Sequence, residues 1–321
     1  MEIKKIKKAI EKYDKFLITA HINPEGDSLG SQLAIASLLR ALDKDVTIID
    51  SDAVPEHYRF LPGVDLIRNK TRARNKKFDA AIVLDCPNLS RTGGVRGVVQ
   101  KSGYIINIDH HVSNERFGDI NWVEERASSS GEMVYRLFKE MSVEITKEVA
   151  LYLYIAILTD TGSFNYDNTS GETHEIISEL LGYGIEPYEV SKSVYENKSV
   201  RAVKLLGEAL SGLEVTANGK VAYLAVRKKD FKRIKAKPAD CEDFVNFARS
   251  IKDVCVALFF REDNEKANHF HVSLRSKGKV NVNKVAAQFG GGGHRRASGC
   301  TLIGSFHDVK KKVLKRVSDE L

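Results

Sequence analysis

Cysteine is scarce and scattered: the 321 residues hold four, at Cys86, Cys241, Cys255 and Cys300, and none forms a C-x-x-C pair. That spacing argues against both a zinc knuckle and a disulfide framework. Long apolar runs are missing too, since no stretch approaches the ~18 residues that a membrane-spanning helix needs. There is no low-complexity segment and no internal repeat. The opening MEIKKIKKAIEKYDKFLITAH reads as a charged amphipathic helix entering a short apolar run. It has neither the longer apolar region nor the small-residue cleavage site of a signal peptide. These absences exclude membrane, secreted-scaffold and fibrous classes and leave a cytoplasmic globular protein as the expectation.

What is present points to a folded protein with an anionic partner. Hydrophobic residues make up 42% and charged residues 29% of the chain, too apolar a mixture for disorder, and the length allows two domains with cores of their own. The formal net charge of +7 is unevenly spread. Residues 201–321 carry 25 Lys+Arg against 13 Asp+Glu, net +12, whereas residues 1–200 carry 25 against 30, net −5. Such asymmetry between segments is a functional signal.

Short apolar runs alternate with helical periodicity in the first part. Lys15–His21, Val46–Asp50, Phe78–Asp85 and Gly103–Asp109 read as strands. Ser28–Leu42, Ser129–Glu140, Thr146–Leu158 and Glu172–Tyr183 read as helices. Near-continuous β-branched runs that end in a polar residue suit a mainly parallel, doubly wound α/β sheet. After Gly184 the chain turns polar and then helical. Beyond that, Lys220–Val226, Val254–Arg261 and His269–Arg275 look like strands of a smaller α+β domain, closed by the glycine run Gly290–Gly293 and a basic helix, Asp308–Leu321. The expected division is 1–185 for the first domain, 186–210 for a helical linker and 211–321 for the second.

In open α/β sheets, ligands bind outside the carboxyl ends of the strands. Here those ends gather potential metal ligands: His21, Glu25 and Asp27 after the first strand, Asp85 after the third, and Asp109, His110 and His111 after the fourth. Asp160 follows the helix Thr146–Leu158. Carboxylates cannot converge uncompensated in a protein interior, so a cation is implied. A set rich in oxygen, with imidazoles and no thiolate, suits Mn²⁺ or Mg²⁺ rather than structural zinc. Even without Asp109 and His111, four carboxylates and two histidines exceed the needs of one ion and suit two sharing a carboxylate. Gly26 is expected to allow a sharp turn that points both Glu25 and Asp27 inward. Ser128–Ser130, ahead of Glu132, read as a helix N-cap.

The ordered motifs H-I-N-P-E-G-D-S-L-G-S, D-C, D-H-H and T-D-T-G resemble those of the DHH phosphoesterase superfamily. S-L-R-S followed by F-G-G-G-G-H-R-R-A-S-G resembles its associated DHHA1 domain. The resemblance spans Phe16 to Gly299 and is closest to the group of bifunctional oligoribonucleases and PAP phosphatases. It implies an active site in the cleft between a DHH domain and a DHHA1 domain. One ion would be held by His21, Glu25 and Asp85, and the second by Asp27, Asp85, His110 and Asp160. Mn²⁺ is the first choice, with Mg²⁺ or Co²⁺ as alternatives. Asp109 would orient a histidine, and His111 would meet the scissile phosphate. Glu25 departs from the family, which usually has Asp there.

The glycine run offers bare backbone to an anion, and Arg275, His294, Arg295 and Arg296 add donors around it. Gly291, Gly292, Gly293 and these basic side chains are therefore candidate substrate contacts, as is Arg91. Phe259, Phe260, Phe270 and Phe289 read as core rather than as base-stacking platforms. The resemblance implies hydrolysis of short single-stranded RNA or dinucleotides to mononucleotides, and of PAP to AMP. A cyclic-dinucleotide phosphodiesterase is the rival on the same fold, and a non-catalytic nucleic-acid module is disfavoured by the intact ligand set. No membrane or stable duplex partner is expected, and a homodimer is compatible with this plan.

Overall fold

The computed structural model describes residues 2–69, 76–216 and 218–321. It divides into two compact units, Met1–Asn197 and Lys198–Leu321. The first runs α1 (Glu2–Lys12), β1 (Lys15–Thr19), α2 (Gly26–Ala41), β2 (Asp45–Asp50), β3 (Ile67–Asn69), β4 (Ala80–Leu84) and α3 (Arg96–Val99). It continues through β5 (Ile105–Asp109), β6 (Ile120–Val123), α4 (Ser130–Met141), α5 (Lys147–Asp160), α6 (Gly171–Leu181) and α7 (Pro187–Tyr195).

Its strands lie in the order β3-β2-β1-β4-β5-β6, and every neighbouring pair is parallel. β4 is buried at all five positions and β1 at four of five, as expected for central parallel strands with both faces covered. One face packs on α1, α2, α4 and α5 through a large core that includes Phe16, Ile18, Leu38, Ile82, Phe138 and Leu153. The other face carries a thinner layer in which Leu17, Ile49, Ala81 and Val83 meet Val95 and Val99. α5 is apolar nearly all round because it is enclosed nearly all round. At Gly30 a Cβ would stand 2.3 Å from the Tyr152 carbonyl oxygen, so only glycine allows α2 and α5 to approach this closely. The order reverses between β1 and β4, and the crevice between their carboxyl ends is where such sheets bind ligands.

The second unit runs α8 (Val200–Ser211), β7 (Glu214–Val215), β8 (Val221–Val226), α9 (Lys228–Ile234), α10 (Phe244–Ser250), β9 (Val256–Glu262), β10 (His269–Ser276), α11 (Val282–Ala287), β11 (Gly292–Gly293), β12 (Ala297–Ile303) and α12 (Phe306–Asp319). The strand order is β11-β12-β10-β9-β8-β7, antiparallel except for the β8–β9 pair. Val272, Leu274 and Phe260 pack on one face against Val309 and Val313, and Phe259 and Leu224 pack on the other against Phe244. Phe259, Phe260 and Phe270 are thus core, and Phe289 packs partly buried against it. All four cysteines are free thiols. Among the described residues no helix is long and apolar enough to cross a membrane.

Candidate metal centre

The strand ends of the first unit bring six charged or ionisable side chains together. His21 lies two residues past β1, and its Nδ1 is 2.6 Å from the Ile22 carbonyl oxygen. A carbonyl only accepts, so Nδ1 carries the proton and Nε2 faces the site. That Nε2 lies 3.1 Å from Asp85 Oδ2 and 3.8 Å from Glu25 Oε1. Asp85, immediately after β4, adopts a left-handed φ of 50°. This unusual backbone for a non-glycine residue is held by its N–H, which donates to the Ile108 carbonyl at 3.0 Å.

Asp27, in the first turn of α2, is fully buried. Its oxygens accept from the N–H groups of Ser130 and Gly131, each at 2.8 Å, and from Ser31 Oγ at 3.0 Å. The N-terminus of α4 therefore orients this carboxylate, a favourable place for negative charge. Gly131 also admits α5, because a Cβ there would stand 2.4 Å from that of Ala156.

His110 follows β5. Its Nδ1 lies 3.2 Å from the Ala127 carbonyl oxygen, and its Nε2 faces Asp160 Oδ2 at 3.4 Å, Asp85 Oδ1 at 3.6 Å and Asp27 Oδ2 at 3.8 Å. Those gaps exceed hydrogen-bond length, and atoms sharing an ion at about 2.1 Å stand roughly 3–3.5 Å apart. The two oxygens of Asp85 thus point to two different clusters: His21 and Glu25 on one side, His110 with Asp27 and Asp160 on the other. Each cluster offers the carboxylate and imidazole donors of a site that could hold a metal ion. Asp109 is fully buried and fixes His111, whose Nδ1 is 2.7 Å from Asp109 Oδ1. Asp109 Oδ2 accepts from Asn114, which also donates to Asn107.

The electrostatics match a site built for cations. Burial pushes the Asp160 carboxyl up to about 7, with Asp85 and Glu25 adding to the effect against His110. Asp27 is raised well above the carboxylate range by burial and then by Asp85 and Asp160. Burial disfavours a charged His21, yet Asp85 and Glu25 outweigh it and raise the imidazole to about 9. His110 is raised in the same way against burial, by Asp160, Asp85 and Asp27. Of Asp27, Asp85 and Asp160, Asp85 alone is held well below its ordinary range: burial opposes this, but the imidazoles of His110 and His21 prevail. The carboxylates that raise the two imidazoles are the same ones that a cation in these clusters would face.

Several expectations change in detail. Gly26 does not make a sharp turn: it begins α2, and a Cβ there would stand 2.4 Å from Thr159 Oγ1, so its role is close α2–α5 packing. Glu25 and Asp27 are not equally inward, their side chains being 56% and 1% exposed. Ser129 caps α4 by accepting from the Glu132 N–H, but capping does not exhaust this segment, since the next two N–H groups hold Asp27. Asn107, Asn114 and Asn168, which donates to the Asp160 carbonyl, were not singled out from the sequence. Nothing in a spacing of 103 residues marks Ser130 and Asp27 as partners.

Arg91 is exposed, and its carbonyl accepts from the Ile22 N–H at 2.8 Å. In the second unit, Arg275 lies on β10, and His294, Arg295 and Arg296 form the turn between β11 and β12. Arg295 is exposed and donates to the Lys279 carbonyl at 3.2 Å. A Cβ on Gly291 would meet the Gly299 carbonyl oxygen at 2.1 Å, and one on Gly293 the Ala297 carbonyl oxygen at 2.5 Å. Strand packing therefore accounts for both glycines, while Gly292 stays open.

The DHH family N-terminal domain model matches residues 15–157, and the DHHA1 domain model matches residues 218–321. Over 99% of this chain and 93% of the relative, the sequence is 32% identical to the "Bifunctional oligoribonuclease and PAP phosphatase NrnA" of Thermus thermophilus. The chain belongs to the DHH family. A Bacillus subtilis relative with the same description is 28% identical over 92% of this chain and 91% of its own. The crystal structure of an exopolyphosphatase-related protein from Bacteroides fragilis superimposes with a TM-score of 0.92 at 34% identity, covering 99% and 96% of the two chains. DHH phosphoesterases are metal-dependent, and the acid–histidine clusters of this chain are of a kind that could hold metal ions.

Proposed function

We propose that the chain is a metal-dependent phosphoesterase that hydrolyses short oligoribonucleotides to mononucleotides and PAP to AMP. The observation that carries this reading is the pair of acid–histidine clusters that meet at the buried Asp85. His21, Glu25 and Asp85 would hold one ion and Asp27, Asp85, His110 and Asp160 the other, with Mn²⁺ best suited to mixed carboxylate and imidazole donors. Bound there, two divalent ions would supply Lewis-acid neutralisation of the phosphate and a water of lowered pKa.

The chain's own residues do the rest. Asp109 holds the His111 proton at Nδ1, so His111 presents Nε2, suited to meeting a phosphoryl oxygen or the leaving oxygen. The α4 N-terminus holds Asp27 in place through two main-chain N–H groups. Arg275, His294 and Arg296 supply the cationic donors that select a terminal 5′-phosphate, in keeping with the +12 charge of residues 201–321. The relatives named as oligoribonuclease and PAP phosphatase favour these substrates over other phosphoesters.

The test is turnover of pApA, a five-nucleotide RNA, PAP, cyclic di-AMP and pyrophosphate with Mn²⁺. The first three should be hydrolysed, and Asp85→Ala should lose at least roughly a thousandfold in kcat/KM, as removal of a residue central to catalysis does. Full activity in Asp85→Ala, or turnover of none of the five, would overturn the reading.

A further inference from the structure

β2 ends at Asp50, and Ser51 and Asp52 follow it; these three polar residues belong to neither cluster. Asp50 is buried; its Oδ1 accepts from Thr19 Oγ1 and from the Ala20 N–H, each at 3.3 Å, and its Oδ2 accepts from Gln32 Nε2 at 3.0 Å. Asp52 Oδ2 accepts from the Asn23 N–H at 2.8 Å. The two carboxylates thus hold the backbone on both sides of His21, at the residue before it and the second residue after it. Between them the Ile22 N–H donates to the Arg91 carbonyl, and Ser51 Oγ accepts from the Gly94 N–H at 3.1 Å. The loop carrying His21 is therefore tied to the stretch that follows Asp85.

A second observation concerns charge. Burying a carboxylate is costly unless a cation or a full set of donors compensates it. The donors to Asp50 are all neutral, and among the described residues no lysine or arginine lies within ion-pair range of it. Gln32 spends its amide on Asp50 while its own Oε1, also buried, has no hydrogen-bond partner. Burial raises the Asp50 carboxyl to about 6, and the nearby positive charge that favours its ionised form is that of the His21 imidazole.

We propose that Asp50 is a positioning residue of the His21 metal site: with Asp52 it presets the His21 loop, and its charge offsets that of the cation held there. This rests on the reading of His21, Glu25 and Asp85 as metal ligands. The experiment is calorimetric titration of the metal-free full chain with Mn²⁺, for wild type, Asp50→Asn and Asp52→Asn, with thermal midpoints measured in EDTA. Asp50→Asn should weaken one of two Mn²⁺ sites by roughly 10–100-fold, the range for residues that orient ligands, and leave the other unchanged. Its midpoint in EDTA should be no lower than that of wild type, and pApA turnover should return at saturating Mn²⁺. Should Asp50→Asn not fold, Asp52→Asn must show the same selective weakening. Wild-type affinity at both sites in every folded variant would overturn the positioning role alone. A wild type that binds no Mn²⁺ would overturn the metal reading and this inference with it.

Discussion

At the scale of single residues, two side chains only two positions apart have opposite fates. Asp27 is locked by three donors, while Glu25 stays at the rim as the outermost member of its cluster. The centre is thus unequal, closed around Asp27 and open at Glu25. Its ionisation is unequal too. An imidazole must shed its proton to bind a metal. His21 is raised from an ordinary 6.5 to about 9, so below that pH a proton competes with the ion, and above it the competition ends. Mn²⁺ affinity should therefore rise between pH 7 and 9, by up to about tenfold per unit for each proton displaced. Titrations in buffers of different ionisation heat should register that release. An affinity flat across this window would show that metal binding displaces no His21 proton there.

At the scale of elements, close helix packing carries the site, and two glycines separate packing from mere tolerance. Gly30→Ala would drive a Cβ into α5 backbone and should cost about 1–3 kcal/mol by urea denaturation, as overpacking does. Gly207→Ala, in the open face of α8, meets nothing within 4 Å and should stabilise by about 0.5–1 kcal/mol. The reverse order would contradict the packing described. The same elements show what a sequence can disclose. β1, β2, β4 and β5 are legible because buried parallel strands are near-continuous apolar runs, and their polar ends mark His21, Asp85 and Asp109–His111. β3 and β6 are three and four residues long, too short to stand out. β12, A-S-G-C-T-L-I, hides its alternation among small side chains. The hold of α4 on Asp27 is made by main-chain N–H groups, which leave no signature in residue identity.

At the scale of the whole molecule, the net charge of +7 is a sum of unlike parts. The first 200 residues, at −5, contain the carboxylates of the centre, and two divalent ions would bring them close to neutrality. The remainder, at +12, carries the charge that favours encounter with an anionic partner. Metal should consequently stabilise the protein by mass action, in proportion to its affinity for the folded state.

The central claim is that Asp85 joins two clusters into one two-ion centre. Manganese stoichiometry at equilibrium tests it most directly, measured by metal analysis after dialysis for wild type, His21→Ala and Asp85→Ala. Two ions per wild-type chain are expected, one in His21→Ala, and loss or severe weakening of both in Asp85→Ala. Two tightly held ions in Asp85→Ala would contradict it.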